Sequence, residues 1–262
     1  MSWLFAIHPL FTLSGFLVGV LVGQTGVGGG ALMTPILMLV FGVSPTTAVG
    51  TDLLYAAATK SVGTLVHGLN DTVDWRIVGR LASGSVPATA LTLLVMSHYS
   101  IVGSAGERIV SLVLGVMLLL TSLSLVFRPW FLRLMGPVLD GVTPRQARRL
   151  TVFTGAVLGV LVTMSSVGAG ALGVTVLLML YPRRPMATIV GSDIAHAVPL
   201  TLIGGIGHAW LGTVDWMLLV SLLSGSIPGI VLGSYFAARV PDRVIRSVLA
   251  FVLCLVGGRL VF

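Results

Sequence analysis

The sequence predicts an all-α polytopic membrane protein of two inverted repeats, each a glycine-broken helical hairpin followed by three transmembrane helices. Three observations predict it. Only 9% of the residues are charged and 56% are hydrophobic, with a mean hydropathy of +1.06. A soluble domain carries about a quarter charged residues, so no water-facing surface can be assembled from so few. The same motifs recur in the same order in both halves of the chain. The arginines gather on one side of a bilayer only if those halves point in opposite directions.

Apolar segments fall at 10–41, 46–68, 77–97, 108–127, 150–181, 187–210, 216–238 and 244–262. One spanning helix needs roughly 20 residues. The first and fifth segments exceed 30, and glycine cuts each in the middle, as GQTGVGGG (23–30) and SSVGAG (165–170). The other six fit one helix each. Residues 1–11 have no Lys or Arg before their apolar run, so no ordinary signal peptide is expected there.

The repeat is read from four matches. GVLVGQTGVGGGAL (19–32) aligns with GVLVTMSSVGAGAL (159–172) at an offset of 140. VGTD (49–52) aligns with VGSD (190–193), TVDW (72–75) with TVDW (213–216), and SGSVP (83–87) with SGSIP (224–228), all at 141. Chance likeness between apolar runs would not hold that register through a loop. The expected organisation is a single membrane domain over 1–262: repeat one at about 8–127, a cytoplasmic linker at about 128–149 and repeat two at about 150–262.

The net charge of +7 is not a nucleic-acid signal, and no nucleic-acid partner is expected. The arginines sit in small groups between apolar runs, without basic–aromatic clusters. They report orientation instead. If each broken segment crosses once, the repeats are parallel and the arginines divide almost evenly between the two faces. If each is a hairpin, Arg76, Arg80, the linker arginines, Arg183, Arg184, Arg239, Arg243 and Arg246 all lie inside, and only Arg108 and Arg259 lie outside. The positive-inside rule selects the hairpins and therefore inverted repeats. Interrupted helices in inverted repeats are an architecture of secondary transporters, with the site at the breaks.

The stretch GVGGGALMTPIL (26–37), the downstream SPTTAVGTD (44–52) and their weaker second-half copies resemble the sulfite exporter family, TauE/SafE. The resemblance covers nearly the whole chain. It implies a secondary carrier without an ATPase domain, in the bacterial inner membrane. Its substrate would be a small anion such as sulfite, thiosulfate or a related organosulfonate. The second copy is degenerate: Thr175 stands for Pro35, and Gly168-Ala169-Gly170 for the triple glycine.

Candidate site residues follow from the breaks. Gly28, Gly29 and Gly30, with Gly168 and Gly170, leave backbone N–H groups open to a ligand where the second half-helix of each hairpin begins. Thr25, Ser165 and Ser166 add hydroxyl donors, as do Thr51 and Ser192 in the VG(T/S)D motifs. Close packing through small residues is the competing reading, and Gly79 and Gly84 are assigned to it. Asp52 and Asp193 are repeat equivalents, and a carboxylate inside a span is functional by default. They are expected to carry protons, the competing reading being a structural pair in which each caps a broken helix or bonds a neighbouring one. Lys60, on the Asp52 helix, and His196 complete the proton-coupling set, with Asp52 favoured because Lys60 has no counterpart in the second half, where Thr201 stands. His67 and His208 are expected to be ordinary hydrogen-bonded histidines, and Asp74 and Asp215 helix caps beside interfacial tryptophans.

No G-x-x-x-x-G-K-type loop and no Cys/His metal spacing occurs, so no cofactor is expected. The expected function is secondary transport of a small anionic substrate, proton-coupled, by alternating access between the repeats. The expected partners are that anion and the lipid bilayer, with a homodimer kept open. An intramembrane enzyme using the Asp52/Asp193 pair and an anion channel are the alternatives.

Overall fold

The computed structural model describes residues 8–25, 30–99, 104–139, 141–236 and 242–261. They form α1 (Pro9–Thr25), α2 (Gly30–Leu39), α3 (Pro45–Leu69), α4 (Trp75–His98), α5 (Ser104–Leu139), α6 (Pro144–Ser165), α7 (Ala171–Leu180), α8 (Met186–Trp210), α9 (Trp216–Phe236) and α10 (Asp242–Val261). No strand occurs among the described residues. Both glycine-cut segments become two helices, α1 with α2 and α6 with α7, as the sequence predicts. Among the described residues five helices are long and apolar enough to cross a membrane: α4, α5, α6, α8 and α9. At 25 residues α3 matches α8 in length, but Asp52, Lys60 and five threonines make it more polar.

Helix ends are written locally. Asp74 caps α4 by accepting from Arg76 N, and Asp215 accepts from Leu218 N, so both TVDW motifs start a helix as expected. Trp75 and Trp216 beside them are exposed, which suits an interfacial belt. Thr143 and Gln146 form a capping box at α6, with Pro144 at its first position.

One boundary differs from the sequence reading. Residues 128–149 were expected as a loop on the strength of three prolines and five arginines. Instead α5 runs on to Leu139 and α6 starts at Pro144. Proline costs a helix one hydrogen bond, but packed neighbours tolerate it in membrane helices, and Trp130, Phe131 and Leu132 continue the apolar run past Arg128.

The helices pair in a pattern that survives exchange of the two halves: α1 on α9 and α6 on α4, then α3 on α8 and α5 on α10. Small residues set the first two contacts. A Cβ on Gly15 or Gly19 would enter the backbone carbonyl of Leu222 or Ser226, and one on Gly225, Gly229 or Gly233 that of Thr12, Phe16 or Val20. Gly84, Gly155 and Gly159 meet the carbonyls of Val152, Leu81 and Ser85 in the same way. The four-residue spacing puts each glycine row on one helix face, so backbones approach as in GxxxG seams. Pairing numbers rise together along both seams, so these helices run parallel. In α3/α8 and α5/α10 they run antiparallel. Asp74, just past the end of α3, donates its N–H to Ser192 near the start of α8, and Asp215 donates to Thr51 in the mirror-related place. On the other pair, Ser122 donates to the Ala250 carbonyl while Gly115 faces Gly257.

Of the two glycines assigned to packing, Gly84 fits and Gly79 does not: nothing lies within 4 Å of a Cβ at Gly79. Gly84→Ala should therefore cost about 1–3 kcal/mol by overpacking the α4–α6 seam. Gly79→Ala should be neutral or stabilise by up to about 1 kcal/mol through helix propensity. Thermal unfolding of both variants in detergent checks this, and equal midpoints would refute the seam.

Candidate functional site

Asp52 on α3 and Asp193 on α8 have no exposed surface, and neither has His196. Antiparallel packing of α3 on α8 brings these repeat equivalents into one interior, where the second glycine break also lies. Three backbone conformations make that break. Ser166 closes α6 with φ 56°, and Gly168 and Gly170 have φ 124° and 127°. Only glycine adopts the last two readily, so these glycines are required by the turn itself as well as by any ligand. Gly170 then precedes α7, whose first turn has no side-chain cap.

Six groups converge there. Lys60 reaches from α3 to donate to the Ala169 carbonyl at 3.3 Å. Its charge acts on both Asp193 and Asp52, though neither carboxylate lies within ion-pair distance. Asp52 accepts through Oδ2 from the hydroxyl of Thr34, one turn into α2. The Ser166 hydroxyl lies near enough to act on Asp52 without reaching hydrogen-bond geometry. Asp193 rests against the first turns of α7, close to the backbone of Gly170 and so near Gly173 that a Cβ there would strike Oδ1. His196 sits near Lys60 and shares a hydrogen bond of 2.9 Å between Nε2 and the Ser85 hydroxyl.

Several of these groups lack partners. Asp52 Oδ1, both oxygens of Asp193, the Ser166 hydroxyl and His196 Nδ1 are buried with no hydrogen bond among the described residues. Each such atom costs about 1–3 kcal/mol of desolvation. Of these groups Asp193 lies against the start of α7, which offers N–H groups and a positive dipole end and makes this interior the candidate binding site.

The duplication exposes the asymmetry. Tyr55 bonds Ser226 at 2.8 Å where the other half has His196 bonding Ser85. Thr34, which donates to Asp52 Oδ2, aligns with Val174, which cannot donate to Asp193. Met33 aligns with Gly173, and only the glycine leaves room for the carboxylate against α7. The expected charge advantage of Asp52 is therefore not exclusive: the charge of Lys60 acts on Asp193 as well as on Asp52, and the buried Arg128 acts on Asp193 too.

Other candidates are placed as follows. Thr51 and Ser192 use their hydroxyls to accept from the Asp215 and Asp74 N–H groups, locking the TVDW loops. Ser165 bonds the backbone of Leu161 and Val167 within the break. Gly168 faces Met117 of α5. Gly30 opens α2, whereas Gly28 and Gly29 lie outside the described residues, as does the side chain of Thr25. His67 and His208 each bond the Thr of their TVDW motif at 2.8 Å, the structural role expected. Sequence reasoning missed Thr34, Ser85 and Arg128. Arg128 is buried on α5, where its Nε donates to Thr175 of α7 at 3.3 Å. A polar residue just before Pro35 in an apolar run was the available signal for Thr34.

Comparison with known proteins shows the family. The family model described as sulfite exporter TauE/SafE matches residues 11–260. The chain is 37% identical to the probable membrane transporter protein YjnA of Bacillus subtilis (strain 168), over 95% of this chain and 98% of the relative. It is 28% identical to YdhB of the same organism, also a probable membrane transporter protein, over 97% and 100%. A probable membrane transporter protein of Xylella fastidiosa (strain 9a5c) is 27% identical over 86% and 83%. No solved structure matches. The chain belongs to the sulfite exporter TauE/SafE family of membrane transporters, and the intramembrane-enzyme reading of the Asp52/Asp193 pair gives way to that membership.

Proposed function

From its place in the sulfite exporter TauE/SafE family, we propose that this protein is a proton-coupled secondary carrier of the bacterial inner membrane. Its cargo is a small oxyanion, sulfite or a related sulfur-containing or organosulfonate anion. The observation that carries the reading is the unpartnered carboxylate of Asp193 lying against the uncapped start of α7. An ionised carboxylate and an anionic substrate compete for the same positive helix end. Protonation of Asp193 removes that competition, so proton and anion bind together. Lys60 supplies a buried cation that the anion can neutralise. Because Asp52, Asp193 and His196 have no exposed surface, access to them needs a conformational change.

The inverted arrangement of the repeats supports alternating access. Equivalent helices α3 and α8 run antiparallel, and the pairing pattern is unchanged on exchange of the halves. Such a molecule can open its two faces in turn by swapping the conformations of its halves. Cysteine labelling tests the topology. In a Cys254→Ala background, cysteines at Ser44 and Pro185 should be modified from opposite faces of sealed vesicles; modification of both from one face would sink the inverted reading. In proteoliposomes, external unlabelled sulfite should drive counterflow of labelled sulfite. Flux without counterflow would favour the channel.

A further inference from the structure

A cavity away from the carboxylates opens where the starts of α4 and α6 meet the end of α7. Its volume is about 600 Å³, and Arg80, Tyr181, Arg183 and Arg184 line it beside Pro144 and Leu180. The polar side is built. Tyr181 shares its hydroxyl with the fully buried Thr151 at 2.7 Å and accepts from Arg80 Nη1 at 3.1 Å. Arg184 is held by Asp74 at 2.8 Å, which ties the α7–α8 loop to the α3–α4 loop. Arg80 keeps further guanidinium donors, and Arg183 is exposed at the rim.

The duplication supplies an internal control. At the equivalent place on the other repeat, Phe41 stands for Tyr181, Phe11 for Thr151, Ser221 for Arg80, and Val43 and Ser44 for Arg183 and Arg184. Phe11 and Phe41 meet edge to face there, with centroids 4.7 Å apart. One copy of the site is an apolar plug and the other a cavity with three guanidinium groups. Orientation signals alone account for loop arginines; they do not account for the Thr151–Tyr181–Arg80 chain that holds one of them inward.

We propose that this cavity is a second anion site, for a phosphate-type oxyanion at the membrane face. Guanidinium forks match such oxygens in pairs. The apolar wall of Pro144 and Leu180 lets the oxyanion be either a free phosphate or the head group of an anionic phospholipid. Occupancy would brace Tyr181, which directly follows α7, the half-helix that receives Asp193.

The test is thermal stability of the purified full-length protein in neutral detergent, with inorganic phosphate or short-chain phosphatidylglycerol added in turn against phosphatidylcholine. Wild type, Arg80→Gln/Arg183→Gln, Arg145→Gln/Arg148→Gln and Asp193→Asn are compared. Saturable stabilisation by phosphate that disappears only in Arg80→Gln/Arg183→Gln establishes a free-anion site. The same pattern with phosphatidylglycerol alone establishes a lipid site. A ligand at 100 times its dissociation constant adds about 2.7 kcal/mol, enough to move the midpoint by several degrees. No stabilisation of wild type, or equal loss in the Arg145→Gln/Arg148→Gln control, overturns the proposal. Loss in Asp193→Asn would assign the effect to the central site instead. Tyr181→Phe, which keeps the ring, should weaken the response; an unchanged response there with loss in Arg80→Gln/Arg183→Gln still supports the arginine site.

Discussion

Asp193→Asn is expected to reduce pH-driven net transport to the rate of empty liposomes while leaving counterflow of substrate against substrate measurable. Asparagine keeps the shape of the residue against Gly173 but cannot gain and lose a proton at neutral pH. Net transport that requires a travelling proton then stalls. Exchange need not release the proton, and the change to one neutral amide should cost it about 1 kcal/mol, roughly fivefold. Asp52→Asn should be the milder variant. Thr34 donates to Asp52 Oδ2, and an asparagine carbonyl can accept the same bond. Both activities are read in the same proteoliposomes under an imposed pH gradient. Undiminished pH-driven uptake in both variants would rule out coupling through either carboxylate. Equal loss of both activities in Asp193→Asn, with a lowered melting temperature, would make the residue a structural cap for α7.

That ranking of the two acids shows where sequence and structure part. The paired motifs place Asp52 and Asp193 in equivalent positions, and the glycine cuts become the α1–α2 and α6–α7 breaks, because duplication and glycine conformational preference are local signals. TVDW reads as a helix start for the same reason. What one helix shows another is not local. Lys60 shares a helix with Asp52, about 12 Å apart along its axis, yet bends toward the second break and the Ala169 carbonyl. Arg128 looks like one of several loop arginines, and only the continuation of α5 past Pro129 turns it inward onto Thr175. The replacement of Thr34 by Val174 is visible in the alignment, but its consequence needs the contact with Asp52. Gly79 and Gly84 are indistinguishable by composition; their helix faces separate them.

Lys60→Gln should have the other large effect and abolish exchange as well as net transport. A buried cation facing an anionic substrate is worth about 3 kcal/mol, roughly a hundredfold in affinity. Its removal also disturbs folding, since truncating one member of a buried charge set leaves the others uncompensated at a cost of about 3–5 kcal/mol. A single variant therefore cannot separate the two roles. The double variant Lys60→Gln/Asp193→Asn removes one positive and one negative group together, so the interior keeps its charge balance and the protein should regain much of its thermal stability. If Lys60 exists to bind the anion, counterflow stays absent in that stable double variant, although it survives in Asp193→Asn alone. If Lys60 exists only to balance Asp193, the double variant recovers counterflow along with stability. Melting temperature and sulfite counterflow on the same preparations decide between these, and recovery of exchange would remove Lys60 from the substrate site.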